Sequence, residues 1–368
     1  MAFAKSVRQG PIPEAFPCRA CALPPGAVKS ALNRKDAPVI PILEADRLEV
    51  QVLVDNAVDP LSSTPRFVTR EPAVLRRNGM VRTSGAAMCC ANHGLSLVVT
   101  AWSGDSPRSV LFDAGPAAMA IAHNAPRLGI DFSAIEAVVL SHGHWDHAGG
   151  LIEAFDHIRA ANLGRPVPCF LHPGMFAERG ARQPDGGVFP MENIASPDLL
   201  AAHGATPVVT AEPQALAGGQ FYLSGEIPRR TAYERGYPAQ VRRGADGRWE
   251  PDPLLMDERF MAARVKGRGV VVFSACSHAG IVNVLHEARA AFPGERLHAV
   301  MGGFHLSGEN EEIIPQTVAD LGGFGLDLIL PAHCTGWRAV RALAAAYGEG
   351  VVVPSAVGKH VTFGGDGA

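Results

Sequence analysis

Nowhere in its 368 residues does the chain hold an apolar run approaching the about 20 residues that cross a bilayer. It also lacks any long basic run. Lysine and arginine number 33 against 36 acidic residues, for a net charge of −3. Phosphate backbones are gripped by clustered cations, so neither nucleic acid nor membrane is expected as a partner. The opening "MAFAKSVRQGPIPEAF" has no continuous apolar segment of the secretory type, and a cytoplasmic location is expected. Low-complexity tracts and internal repeats are absent too.

A disulfide framework is missing as well. The cysteines (Cys18, Cys21, Cys89, Cys90, Cys169, Cys276 and Cys334) are odd in number and scattered over a long chain. Cys18 and Cys21 form a C-x-x-C pair, "CRAC". With no second pair nearby they cannot complete a four-cysteine zinc site locally, and they read as incidental. What the chain does have is 47% apolar and only 19% charged residues, enough to bury a sizeable core.

Residues 1–45 are rich in Pro, Ala and Arg without periodicity and read as an N-terminal extension; 46–368 read as one domain. Strands are expected at 48–59, 94–102, 109–115, 269–278, 297–305, 326–333 and 351–357. Helical patterns fall at 117–129, 148–162, 279–292, 311–321 and 337–348. Short apolar runs alternating with helical patterns predict an α/β fold with strands covered on both faces. The stretch 174–265 is irregular and rich in Gly, Pro and Arg, as expected of long loops that shape a substrate pocket.

The chemistry concentrates in "VVLSHGHWDHAGGL", residues 138–151. In an extended segment His142, His144 and Asp146 would share one face, with His147 following where the chain turns into a helix. Imidazole and carboxylate suit zinc, manganese or ferrous iron. A solvated histidine-rich loop is the alternative, but burying so many polar groups without a cation would be costly. Three later apolar strands also end in histidine: His278, His305 and His333. In α/β sheets ligands collect beyond the carboxyl ends of strands, so these ends are expected to converge on one site. His172 ends a short strand before Pro and reads as structural, and His123, His157, His203, His286 and His298 have no partner pattern.

"SHGHWDHAGG" matches the HxHxDH signature of the metallo-β-lactamase superfamily. "LVDN", "VLFDAG", "GEIPR", "CSHAGIVN", "GGFHL" and "AHCTG" resemble more narrowly a branch labelled 7,8-dihydropterin-6-methyl-4-(β-D-ribofuranosyl)aminobenzene-5′-phosphate synthase. The resemblance spans roughly 48–360. It implies an αββα four-layer sandwich: two mixed β-sheets face to face, helices outside, and one or two divalent metals at one edge. Carried over, His142, His144 and a later histidine would hold one ion, and Asp146, His147 and His333 the other, with His278 a candidate for the later histidine. The chain departs from the common pattern where a bridging aspartate is expected, reading "VVFSACSH" with Cys276 and His278. Where a mid-chain histidine is expected it offers Glu226. Cys276, His305 and Glu226 therefore stay open as ligands.

Zinc is the first choice, manganese or iron the others. Asp146 is expected to act on the nucleophile, a metal-activated water. Asp113 would brace a ligand histidine or cap a turn. Arg229 and Lys359 are candidates for an anionic substrate group or for plain surface roles. The expectation is a metal-dependent hydrolase of an ester, phosphoester or lactone-like small molecule. Alternatives are the branch's transfer of an aminobenzoate onto phosphoribosyl pyrophosphate, a non-catalytic metal sensor, and, last, a di-iron redox protein.

Overall fold

The computed structural model describes residues 40–365. The N-terminal extension with its C-x-x-C pair lies outside the described residues, apart from 40–45.

Two mixed sheets face each other. The first runs, edge to edge, Ala205–Val209, Val167–Leu171, Ile135–Val139, Ser106–Phe112, Ser96–Ser103, Arg47–Val54, His360–Gly364 and Val68–Thr69. The second runs Gln214–Leu216, Phe221–Leu223, Met261–Val265, Gly269–Ser274, Leu297–Gly303 and Leu328–Ala332, with Glu44–Ala45 pairing alongside Met261–Val265. Each sheet has a parallel half and an antiparallel half.

Side chains from both inner faces fill the space between the sheets. Val50, Val99, Phe112 and Phe363 from the first meet Phe221, Met261, Phe273 and Met301 from the second. Phe112, Phe273 and Phe363 are fully buried, and truncating any one to alanine is expected to cost about 3–5 kcal/mol. The outer faces are covered by helices. Leu151–Ala161 buries Leu151, Ala154, Phe155 and Ile158, the stripe of an amphipathic helix, and packs beside Ala118–Leu128 on the first sheet. Ile281–Ala291, Ile314–Leu321 and Trp337–Tyr347 cover the second. The result is the αββα sandwich expected.

Three expectations change in detail. The strand read as 48–59 stops at Val54, because the Asp55 carboxylate takes the Asn56 N–H (2.7 Å) and turns the chain. Segment 351–357 is not a strand: Val352 makes one bridge to Ile329, Pro331 opposite has no N–H to return the next bond, and the last strand is His360–Gly364. The stretch 174–265 is more ordered than loops. It supplies four strands to the large sheets and a separate antiparallel sheet of Trp249–Pro251, Gln240–Arg243, Arg179–Arg182 and Val188–Pro190. Its strands are too short and too polar for an alternating pattern to stand out in sequence.

Candidate metal centre

The HxHxDH segment does not continue its strand. Ile135–Val139 ends, and the chain turns through Ser141–His144 into a one-turn helix, Trp145–Ala148. His142 and His144 therefore sit on a loop while Asp146 and His147 sit on helix. The alternating-face argument fails for Asp146, which turns away from the first two histidines and joins another group. Close packing fixes the loop: a Cβ on Gly143 would lie 2.4 Å from the Met175 carbonyl oxygen, and one on Gly149 1.9 Å from that of Pro116.

Four overlapping groups of potential ligand atoms gather here, each with its atoms within 4.8 Å of one another. His142, His144 and His278 form the first. His142, His147 and Cys276 form the second, which puts Cys276 between the two halves of the centre. Asp146, His333 and His93 form the third, and Cys276, His305 and Cys334 the fourth. His142 Nε2 and His144 Nδ1 are 3.0 Å apart, and Asp146 Oδ2 lies 3.3 Å from His333 Nε2 and 3.8 Å from His147 Nε2.

Buried carboxylates and amides aim these rings. Asp113 accepts the Ser141 N–H (2.7 Å) and hydroxyl (2.8 Å) and the Nδ1–H of His147 (2.7 Å), which turns His147 Nε2 inward. This is the bracing role expected of Asp113. Asn56 accepts from His333 Nδ1 (2.9 Å), and Asp55 accepts the His333 N–H (3.0 Å). Asp257 accepts the Gly143 N–H (2.9 Å) and is paired with buried Arg179 (2.7 Å). Glu258 accepts the N–H groups of His278 and Ala279 (2.8 and 2.6 Å). Asp113, Ser277, His305 and His333 all hold positive φ (59, 59, 45 and 46°). Such backbone costs roughly 1–3 kcal/mol per residue and persists only where the surroundings enforce it.

The donor chemistry fits a cation. His147 Nε2, His333 Nε2, His144 Nε2 and both ring nitrogens of His278 are buried without a hydrogen-bond partner. Orphaned buried polar atoms cost about 1–3 kcal/mol each, which a coordinated ion would offset. Burial and neighbouring imidazoles hold His142 and His278 well below the ordinary histidine range, and burial pulls His144 down to about 4. These rings are therefore neutral at pH 7, the form that binds metal. Burial also opposes charge on His147, but Asp146 and Asp113 outweigh it and raise its pKa to about 9. Asp146 is likewise buried, yet His147, His333 and His93 keep its carboxyl well below the usual range.

The centre opens into a cavity of about 680 Å³ lined by Asn56, Arg182, Tyr237, Ser307 and Asn310 among others. Of the expected residues, His142, His144, Asp146, His147, His278 and His333 are brought together. Cys276 and His305 join them, with Asp113 behind. Three candidates are placed elsewhere. Glu226 is partly exposed beside His172 (3.5 Å) and belongs to none of the ligand groups. Arg229 is spent on the carbonyls of Ile227, Leu254 and Leu255, and Lys359 is buried against Asp59 and the Pro354 carbonyl (both 3.0 Å). Neither cation lines the cavity; Arg182, on the small sheet, does.

Sequence reasoning missed His93, Cys334, Asn56 and the "DER" run at 257–259. His93 precedes a strand rather than ending one, so the strand-end rule could not find it. The charged run could have been noticed, since it directly abuts an apolar strand, Met261–Val265.

The sequence model of the metallo-beta-lactamase superfamily matches residues 96–354. The chain belongs to the metallo-β-lactamase superfamily. The superfamily match takes in every ligand candidate from His142 to Cys334, and leaves His93 and Asn56 outside. Among curated relatives, the 7,8-dihydropterin-6-methyl-4-(beta-D-ribofuranosyl)-aminobenzene-5'-phosphate synthase of Methanocaldococcus jannaschii is 30% identical over 251 residues, 68% of this chain and 83% of the relative. An uncharacterized protein of the same organism is 27% identical over 254 residues, 69% and 88% respectively. A crystal structure described as a metal-dependent hydrolase of the β-lactamase superfamily aligns with a TM-score of 0.61 at 25% identity, covering 86% of this chain and 98% of that one.

Proposed function

We propose that this superfamily member is a metal-dependent hydrolase acting on an ester, phosphoester or lactone-like small molecule. The observation that carries the reading is the set of buried imidazole nitrogens without hydrogen-bond partners, gathered with Asp146 at the floor of one cavity. His142, His144 and His278 would hold one divalent ion and Asp146, His147 and His333 a second, with zinc the first choice and manganese or iron the others. Bound there, the ions would supply Lewis acidity and an activated water.

The chain's own groups supply the rest. Asp146, ionised and anchored by three imidazoles, can take a proton from the nucleophile. His93 stands at the mouth with Nε2 3.4 Å from Asp146 and Nδ1 3.2 Å from the Asn56 amide. The amide N–H donates to Nδ1, so the ring proton rests on Nε2, where it can pass to a leaving group. Arg182 offers a cation for a phosphate or carboxylate on the substrate, the part first expected of Arg229 and Lys359. A cavity of about 680 Å³ is the size of a small-molecule site.

A second reading is favoured by the 30% identity to the synthase of Methanocaldococcus jannaschii. It is a transferase joining an aminobenzoate to phosphoribosyl pyrophosphate. A screen of metal-loaded protein over phosphodiesters, phosphomonoesters, lactones and thioesters, run beside that condensation, separates the two. Hydrolysis lost on chelation and restored by metal supports the first. Condensation without hydrolysis replaces it, and protein that takes up no metal after supplemented expression removes both.

A further inference from the structure

One group of ligand atoms is not used by the paired centre just described. Cys276 Sγ lies 3.0 Å from Cys334 Sγ and 3.4 Å from His305 Nδ1, and the three atoms fall within 4.8 Å of one another. The residues follow three neighbouring strands of the second sheet, Gly269–Ser274, Leu297–Gly303 and Leu328–Ala332. Their meeting is enforced by the backbone. A Cβ on Gly303 would lie 2.6 Å from Cys334 Sγ and 2.4 Å from the Ala275 carbonyl oxygen, so only glycine lets the second cysteine reach the first. Asn310 donates to the His305 carbonyl (3.0 Å) and Tyr237 packs edge-on against its ring, fixing where the imidazole stands. All three side chains line the same cavity as His278 and His333, so an ion can reach them from solvent.

We infer that Cys276, Cys334 and His305 form a third, sulphur-rich cation subsite beside the imidazole and carboxylate groups, an inference that rests on the metal-centre reading above. Two thiolates and an imidazole are the donor set of a soft or borderline cation such as zinc or ferrous iron, and unlike the oxygen sites of magnesium or calcium. On binding, each cysteine forms a sulphur–metal bond and releases its thiol proton to solvent, while His305 contributes the Nδ1 lone pair. No electron changes hands. Cys276 belongs to two groups at once, with His142 and His147 on one side and His305 and Cys334 on the other. It is the residue through which an ion in the sulphur subsite would be held against the paired centre.

Cobalt(II) titration tests this directly, because thiolate coordination gives a charge-transfer band that imidazole and carboxylate ligands do not. The full-length chain is used with Cys18→Ser and Cys21→Ser in the background, so that the N-terminal pair contributes no sulphur. The expected result is a thiolate–cobalt band, weakened in Cys334→Ser and lost in Cys276→Ser/Cys334→Ser, with d–d absorption from histidine-bound cobalt retained. His305→Gln, which keeps both sulphurs, is expected to keep the band while lowering cobalt affinity, so the assignment survives even where a cysteine variant misfolds. Histidine-bound cobalt with no thiolate band, or a band unchanged in Cys334→Ser, overturns this subsite alone. No cobalt binding of any kind overturns the paired centre with it.

Discussion

The first sheet brings His142, His144, Asp146 and His147 to the centre on a single connection, while the second brings Cys276, His278, His305, His333 and Cys334 from three separate strand ends. The first contribution contains the Asp146 carboxylate and neutral or carboxylate-braced imidazoles. The second contains all of the centre's sulphur and two of its positive-φ histidines. Placing many ligands on one connection makes their spacing a local matter, decided by Gly143, Gly149 and one helical turn. Placing them on separate strands makes it a matter of sheet register, decided by the parallel ladder linking Gly269–Ser274, Leu297–Gly303 and Leu328–Ala332. One half is written as a motif and the other as a topology.

The sharpest way to probe that division is at Asp146, the group proposed to act on the nucleophile. Asp146→Asn should lower turnover by on the order of 10²- to 10⁴-fold while the protein keeps most of its metal, since the histidines remain. Unchanged turnover would remove Asp146 from the chemistry. Next comes the scaffold of the connection. Asp257→Ala strips the closer of two carboxylates from buried Arg179, leaving Asp252 at 3.4 Å, and frees the Gly143 N–H, and should cost about 3 kcal/mol in urea unfolding. A smaller effect is expected at Asp113. Asp113→Ala leaves His147 in place without its Nδ1 partner and should weaken metal affinity roughly 10- to 100-fold in chelator competition, with a smaller loss on the His278 side, reached through Ser141 and His142.

The smallest effect concerns pH. His172 is buried and its pKa is pulled down to about 4, first by burial and then by Arg259 and Arg179 against the opposing Asp257. The folded chain thus resists a proton that the unfolded chain accepts near the ordinary histidine value of 6.5. Stability should fall as pH drops from 6.5 toward 4, and His172→Gln should flatten that arm of the urea-midpoint profile. A profile equally steep in the variant would assign the slope to other groups.

Much of this division could be read from residues alone. The sandwich followed from apolar runs alternating with helical patterns, and the paired centre from HxHxDH with His278 and His333 at strand ends. The small antiparallel sheet escaped because strands such as Val188–Pro190 and Trp249–Pro251 bury almost nothing and leave no period. Asn56 and Asp257 escaped for a different reason. Each acts through a hydrogen bond to a residue more than a hundred positions away, and no local pattern encodes that distance. Arg229 and Lys359 were misplaced because charge alone does not say which way a side chain faces.

The hydrogen bond between Asn56 and His333 joins positions 277 residues apart. Contacts this distant in sequence close late, since the intervening chain must be ordered first. During synthesis the HxHxDH connection and Asn56 emerge long before the strand that ends at Ala332. The growing chain therefore passes through a long interval in which half of its ligands exist without the other half. The full ligand set proposed for this centre exists only once His333 and Cys334 follow that strand, so metal uptake at full affinity is expected to mark completed folding rather than to guide it.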